Sequence, residues 1–594
     1  MKPLVIKPLV IFRYAVFSML FIMLPAALAQ SSQTGTGGAA ATVDGHATQV
    51  ALAILSQGGN AVDAAVAAAA VINVTKPFSA GIGGGGFMLV YLADEGRVLS
   101  IDSREMAPAA ARPDMFIDEA TGEPIPFRPE RISSGLSVGV PGTLAGWDEA
   151  LRRYGALDLA TVLAPAIALA EEGFEISEVF AGQVESNLER FVAFPATAEL
   201  YLTPEGTVPE AGSLHRNPDL AETFRLIAQG GINAFYRGEI GEDLVAVVQD
   251  PPAAADPPFT IRGQDMTMAD LDAYFAPVRD VTRSDYRGYE IFGMGPPSSG
   301  GLTVGLVLTI LEGFDLGTME REEALHHMLE AMRLAYADRG RYMADADFVG
   351  VPVAGLLNPD FAASRREGIT GEVSLAPEAG DPFNYQENPV EPLQPVSWTP
   401  NGDTGSISTT HLTTSDAAGN VVSYTYTIET IGGSGIVVPG RGFLLNNELT
   451  DFNAEPGGAN TVEPRKRPRS SMAPTIVLRD GRPVVALGSP GGATIITTVI
   501  QTLINMIDFD MPLPDAINAP RVANLGGDTT LVETNVEAEQ ALLDALAARG
   551  HDFNPTPEIG AVTGIFFNED GTVTVAAEAL RRGSGVARVE HPAE

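Results

Sequence analysis

The residues best suited to chemistry lie in GSISTTHLTTSDAAGN, Gly405 to Asn420. A threonine hydroxyl is a weak nucleophile unless a base stands beside it. Making the threonine the first residue of a chain supplies one: an α-amine with a pKa near about 7.7–8.0 accepts the hydroxyl proton at neutral pH. For Thr409 this requires cleavage of the Ser408–Thr409 peptide. The hydroxyl would attack the preceding carbonyl, and water would open the resulting ester. A loop before Thr409 and a strand after it suit this reaction, since the loop can leave while the strand holds the new terminus. From spacing alone, however, threonines in a hairpin mostly reflect β propensity.

Other motifs are weaker. Gly81 to Gly86 contains G-x-G-x-x-G, but a helix precedes it and a strand follows, the reverse of a dinucleotide loop. A tight turn with close backbone packing is the better reading. Gly135-Leu136-Ser137-Val138-Gly139 matches G-x-S-x-G, but it lacks a preceding strand, and Pro141 intervenes before the next helix. The seven histidines are scattered, with His326 and His327 adjacent, and show no metal-ligand spacing. There is no cysteine, which removes thiolate nucleophiles, disulfides and Cys-ligated metals.

The elements around these residues are legible from periodicity and turn chemistry. Residues 46–72 read as two helices, broken at Gly58-Gly59 and restarted by Asn60 as N-cap, with Asp63 complementing the dipole. Residues 142–156, 158–173 and 321–343 read as further helices. Residues 377–400 hold six prolines and read as a loop. THLTTS and VVSYTYTI then form a hairpin around DAAGN, and RPVVALGSPGGATIITTVIQ reads as strand, glycine turn and helix. Gln30 to Ala41, made of Gln, Ser, Thr and Gly followed by alanines, reads as a flexible terminus. Helices first, strands later and helices again indicate a layered α/β or α+β fold.

The chain has 594 residues, 45% of them hydrophobic, and a formal charge of −38. That charge excludes nucleic acid as a partner, since affinity for phosphate rests on Lys and Arg. Lys2, Lys7 and Arg13 precede an uncharged stretch, Ala15 to Ala29, ending in Ala27-Leu28-Ala29. This pattern is that of a secretory signal peptide, with an apolar run short for a bilayer span. The expectation is an exported protein, periplasmic or secreted, with no membrane span once residues 1–29 are removed.

Many ordered blocks resemble the γ-glutamyltransferase family of N-terminal-nucleophile hydrolases. They run from NAVDAAVAAA, SAGIGGGGFMLVY and SREMAPAAA through SVGVPGTLAGW, PPSSGG and AYADR. Thr409-Thr410-His411 follows, then GSGIVVPGRGFLLNNELTDF, KRPRSSMAPTI and GSPGG. The resemblance implies a four-layer αββα sandwich. It also implies a precursor cut at Ser408–Thr409 into a large chain, 30–408, and a small one, 409–594, intertwined as one heterodimer. It makes Thr409 the nucleophile, Thr427 the hydroxyl beside it, and Gly491 and Gly492 the oxyanion-hole amides. Arg104, helped by Ser470 and Ser471, would hold the substrate α-carboxylate. Glu448 and Asp451, with Glu429 nearby, would hold its α-amine. Glutathione and other γ-glutamyl compounds are the implied donors; water, or an amino acid or peptide amine, is the acceptor. No metal or organic cofactor is implied.

Glu429 and Glu448 stand where some relatives carry Asn and Gln, and the segment between Asp451 and Lys466 is too short to hold the lid of some members. A more open site would favour water. Within the family the alternative is an amidase resembling glutaryl-cephalosporin acylases, whose substrate lacks the α-amine. Outside it, the alternative is a non-catalytic exported binding protein with Thr409 uncut.

Overall fold

The computed structural model describes residues 31–374, 377–387, 408–534, 540–578, 581 and 585–593. Residues 1–29, read above as a signal peptide, and most of the Pro-rich stretch before Ser408 lie outside them. Among the described residues, thirteen antiparallel strands form one sheet. In chain order these are β1 (Ser32–Thr42), β2 (Gly85–Leu92), β3 (Arg97–Asp102), β4 (Val278–Arg279), β5 (Thr282–Tyr286) and β6 (Tyr289–Gly293). After Thr409 come β7 (Thr410–Ser415), β8 (Val421–Thr427), β9 (Thr475–Arg479), β10 (Arg482–Gly488), β11 (Thr563–Phe567), β12 (Val573–Ala577) and β13 (Val586–Pro592). Their spatial order is β4-β3-β2-β8-β7-β1-β12-β11-β10-β9-β6-β5, with β13 also paired to β1.

The sheet curls so that its two halves stack face to face. Ser423 Oγ on β8 donates to the Leu487 carbonyl on β10 at 3.1 Å and accepts from the Thr475 amide at 3.2 Å. Leu89, Tyr91, Val421, Ile476, Leu478 and Ala486 pack between the halves. The two layers expected from the sequence are therefore one continuous sheet folded on itself. Alternation decides which side chains go where. On β2, Met88 and Val90 face a helical layer while Leu89 and Tyr91 face the other half of the sheet.

The first helical layer contains α1 (Gly45–Ser56), α2 (Ala61–Thr75), α3 (Thr143–Tyr154) and α4 (Leu159–Glu172). The second contains α5 (Gly300–Leu311), α6 (Arg321–Tyr342) and α7 (Thr494–Ile507). Asn60 caps α2 in a capping box with Asp63, and every residue of α2 is buried, which its alanines permit. The DAAGN hairpin closes with the Asp416 amide donating to the Asn420 carbonyl at 3.1 Å and Gly419 at φ +92.

One expectation is overturned. Ser32–Thr42 is not a loose terminus but an interior strand, paired with β12 at Ser32–Gly35, with β13 at Gly35–Thr42 and with β7 at Ala39–Thr42. Its small residues look like linker composition. They allow close packing instead: a Cβ at Gly35 would lie 2.2 Å from the His591 carbonyl oxygen.

The glycine run Gly83–Gly86 enters β2 with its backbone pressed against neighbouring chain. A Cβ at Gly84 would lie 2.0 Å from the Thr427 carbonyl oxygen. Gly84→Ala is expected to lower stability by about 1–3 kcal/mol through overpacking and to cut activity by moving Thr427. Gly182, where an added Cβ would meet no neighbouring atom within 4 Å, serves as the control. Urea unfolding and initial rates of Gly84→Ala against Gly182→Ala check this.

Candidate active site

Thr409 stands immediately before β7, and Thr427 is the last residue of β8, one rung beyond the Thr410–Tyr426 pair. The Thr409 hydroxyl donates to Thr427 Oγ1 at 3.1 Å, and the Glu429 amide donates to the same oxygen at 2.9 Å. Thr409 has φ +78 and Glu429 φ +79, conformations rare for any L-residue and most costly for a β-branched one. The chain after β10 turns through Gly491 at φ +138 and Gly492 at φ +54 into α7. Glycine suits both angles, and it leaves the Gly491 amide free to donate to the Ser408 carbonyl at 3.1 Å.

Four further segments converge on the same cleft, which has a volume of about 140 Å³. Arg104 follows β3 and is buried. Its guanidinium donates to the Pro468 carbonyl at 3.1 Å, to the Arg469 carbonyl at 3.0 Å, and to the carboxylates of Glu448 and Asp451. Glu448 and Asp451 share one short turn, Glu448–Asp451. Asn446 fixes that turn by accepting the Glu448 amide at 3.0 Å and donating to the Gly83 carbonyl at 2.7 Å. Glu429 accepts from the Asn447 side chain. Ser470 and Ser471, next to the Arg104-bound carbonyls, also line the cleft. All ten residues singled out for catalysis or binding thus line one cleft. The sequence reading put Arg104 and the acids at opposite ends; the structure pairs them directly.

Two arginines in the cleft carried no assigned role. Arg339, on α6, donates to Ser299 Oγ at 2.8 Å and to Ser471 Oγ at 2.7 Å. Burial and the neighbouring Arg339 push the Arg469 guanidinium down to about 9, and burial also lowers Arg339. Their signal was present, because Arg339 lies in AYADR and Arg469 in KRPRSSMAPTI. Phe127, Thr556 and Glu558, also on the cleft wall, come from segments without a distinguishing motif.

The remaining motifs play structural parts. Ser137 is buried in a short turn, its hydroxyl donating to the Ile132 and Ser134 carbonyls. His411 lies between the sheet halves, contacting Thr425 Oγ1 at 2.7 Å and Thr413 Oγ1 at 3.1 Å; burial pushes its imidazole down to about 3, so it is neutral. His326 and His551 hydrogen-bond to each other at 2.9 Å. Among the described residues no group of three or more His, Asp or Glu is placed to hold a metal ion, and no helix is long and apolar enough to cross a membrane.

A hydroxyl at the head of an inner strand, opening on a cleft at the rim of an αββα sandwich, defines the N-terminal-nucleophile hydrolase class. The γ-glutamyltranspeptidase family model matches residues 47–589. The chain is 42% identical over 560 residues to the glutathione hydrolase proenzyme of Bacillus subtilis (strain 168), covering 93% of this chain and 92% of that one. Its structure is similar to that of a cephalosporin acylase from Bacillus halodurans, with TM-score 0.82, 28% identity and coverage of 96% and 98%. It is also similar to the Helicobacter pylori γ-glutamyltranspeptidase, with TM-score 0.51 and 36% identity over 55% of this chain and 90% of that one. The chain belongs to the γ-glutamyltranspeptidase family, a family of enzymes.

Behind Arg104, both carboxyl oxygens of Glu105 are buried without a hydrogen-bond partner. Desolvation pushes this carboxyl up to about 8 against the pull of Arg104, so it holds its proton at pH 7. The folded value lies above the unfolded one, and the native state therefore binds the extra proton. Its stabilising contribution is complete below the unfolded value and gone once the pH has risen through about 8. Thermal midpoints from pH 5 to 9 should fall more steeply for wild type than for Glu105→Gln; parallel curves would count against a protonated Glu105.

Proposed function

We propose that this chain is an exported, self-processing γ-glutamyltransferase and glutathione hydrolase with Thr409 as its nucleophile. The carrying observation is the geometry around one peptide bond. The Thr409 hydroxyl is held against Thr427 in the cleft, the Thr409 backbone is strained, and the Gly491 amide donates to the carbonyl of Ser408. Thr409 Oγ1 attacks that carbonyl carbon and the C–N bond breaks. The hydroxyl proton passes to the departing Thr409 nitrogen, leaving an ester between Ser408 and Thr409. Water hydrolyses the ester to a Ser408 carboxylate and a Thr409 with a free amine. The proenzyme name of the B. subtilis relative supports such processing. The chains would be 30–408 and 409–594, after loss of residues 1–29.

In turnover, the new α-amine accepts the Thr409 hydroxyl proton as the oxygen attacks the γ-carbonyl of the donor. The Gly491 and Gly492 amides face the developing oxyanion. The leaving amine takes the proton, and water or an acceptor amine then resolves the acyl-enzyme. The cleft suits a zwitterionic head. A donor α-carboxylate replaces the acids at Arg104 and meets the Ser470 and Ser471 hydroxyls, while the α-ammonium takes over Glu448, Asp451 and Glu429. One internal ion-pair set is exchanged for another of equal charge. A glutaryl group would engage Arg104 and leave the acids without a cation, which is costly in a buried site. Among relatives compared over more than nine-tenths of the chain, the glutathione hydrolase proenzyme is 42% identical and an acylase proenzyme from Pseudomonas sp. (strain V22) 38%, so identity leans only slightly to the former and the acids of the cleft carry the choice.

None of residues 453–465 lines the cleft. The segment folds back on itself, with the Asn453 amide donating to the Asn460 carbonyl at 3.0 Å. An acyl-enzyme so uncovered is open to water, so adding glycylglycine should raise the initial rate only modestly; a large acceptor-dependent gain would overturn the hydrolytic bias.

Intact mass is the direct test of processing. Wild type should give two fragments, the smaller starting at Thr409, while Thr409→Ala stays whole and inactive. A folded wild type that stays whole would favour the binding-protein reading. Side-by-side rates should favour γ-glutamyl-p-nitroanilide over glutaryl-p-nitroanilide by about tenfold or more, the value of one lost buried ion pair; the reverse preference would assign the acylase activity.

A further inference from the structure

Arg339 sits on α6, far in sequence from every residue given a role above. Its guanidinium reaches the carboxylate-binding wall and contacts two serine hydroxyls. The polarity of those contacts is fixed by chemistry. A guanidinium only donates, whereas a serine hydroxyl has one proton and can also accept. Ser471 Oγ is therefore the acceptor of the 2.7 Å bond from Arg339 Nη2, and its own proton must point elsewhere. Ser470 Oγ is pinned in the same sense, accepting the Met472 amide at 3.1 Å. Both protons are thus left for a third group, and both serines line the cleft.

The other arm of Arg339 fixes the wall itself. Nε donates to Ser299 Oγ at 2.8 Å, and Ser299 in turn gives its hydroxyl proton to the Ser470 carbonyl at 2.6 Å and its amide to the same oxygen at 2.8 Å. Arg339 thereby holds Ser470 by its backbone and Ser471 by its side chain. Only a forked donor does both; the single ammonium of lysine cannot serve two hydroxyls in this geometry.

We propose that Arg339 is a positioning residue for donor binding: it commits the Ser471 hydroxyl proton, and the backbone position of Ser470, to the α-carboxylate of the substrate. This rests on the reading of the cleft as a γ-glutamyl site. It predicts a defect specific to that carboxylate, not a general loss of activity.

The experiment compares two anilides on the processed enzyme. One is γ-glutamyl-p-nitroanilide; the other is 4-aminobutyryl-p-nitroanilide, the same acyl chain without the α-carboxylate. Arg339→Met should raise KM for the first by about tenfold, the value of one or two charge-assisted hydrogen bonds, with kcat little changed. It should leave kcat/KM for the second unaltered. Arg339→Lys should recover part of the loss. Adding Ser471→Ala to Arg339→Met should cost much less than Ser471→Ala costs in wild type, because the two act through one hydroxyl. Equal losses on both anilides, or fully additive losses in the double variant, would overturn the proposal. Intact mass and thermal midpoint distinguish a misfolded variant, and Arg339→Lys then carries the test. A processed wild type without turnover of γ-glutamyl-p-nitroanilide would overturn the underlying reading as well, and is seen before any variant is made.

Discussion

A guanidinium buried away from water must find acceptors for its N–H groups, or its charge costs several kcal/mol. Arg104, 1% exposed, meets this demand with two backbone carbonyls and two carboxylates, drawn from the turn at 448–451 and the segment 468–469. Arg339 meets it with hydroxyls from the head of α5 and from Ser471. Pro468 to Ser471 is therefore gripped from both sides, and stretches hundreds of residues apart must arrive together. The cleft is the geometry in which both cations are satisfied. Such pairs add little net stability compared with apolar packing, but they penalise any arrangement in which one partner is missing. That penalty gives this rim of the sandwich a single arrangement.

The hydroxyl-rich hairpin shows how one residue differs from its neighbours. Thr413, Ser423 and Thr425 have β propensity and sit inside the sandwich, where Thr413 and Ser423 donate to carbonyls of the other half and Thr425 contacts the His411 ring of the paired strand. Thr409 belongs to the same inner face but lies one step past the ladder, where the stacked halves part. Its neighbours spend their hydrogen bonds on holding the layers together. Thr409 reaches Thr427 and the cleft.

Features encoded by adjacent residues were readable in the sequence. Asn60 and Asp63 announce a helix start three residues apart, and DAAGN contains its own turn. The local stretch offered Thr409 as a nucleophile but could not tell it from strand filler; that choice, and the roles of Arg104 and the glycine pair, came from ordered blocks spread along the chain. β1 was misread because Gln, Ser, Thr and Gly resemble a linker, while its strand state is dictated by partners 370 or more residues away, such as Leu412 and Ala576. Arg339 was passed over for a similar reason. It lies in the AYADR block, but its contacts to Ser299 and Ser471 are made only in the folded chain.

The strand order has a further consequence for a cut at Ser408–Thr409. Strands β1 to β6 belong to the N-terminal piece and β7 to β13 to the C-terminal one, yet they alternate across the sheet. The pieces share ladders at β2–β8, β7–β1, β1–β12, β1–β13 and β9–β6. No plane separates them. Dilution cannot release one from the other as it releases ordinary subunits, because parting them means unzipping the sheet at each seam. The cut product is then metastable in a particular sense: a unimolecular fold becomes a two-body one. Once unfolded, it has lost the covalent link that let its central strand find both neighbours, and its lifetime is set by the rate of opening.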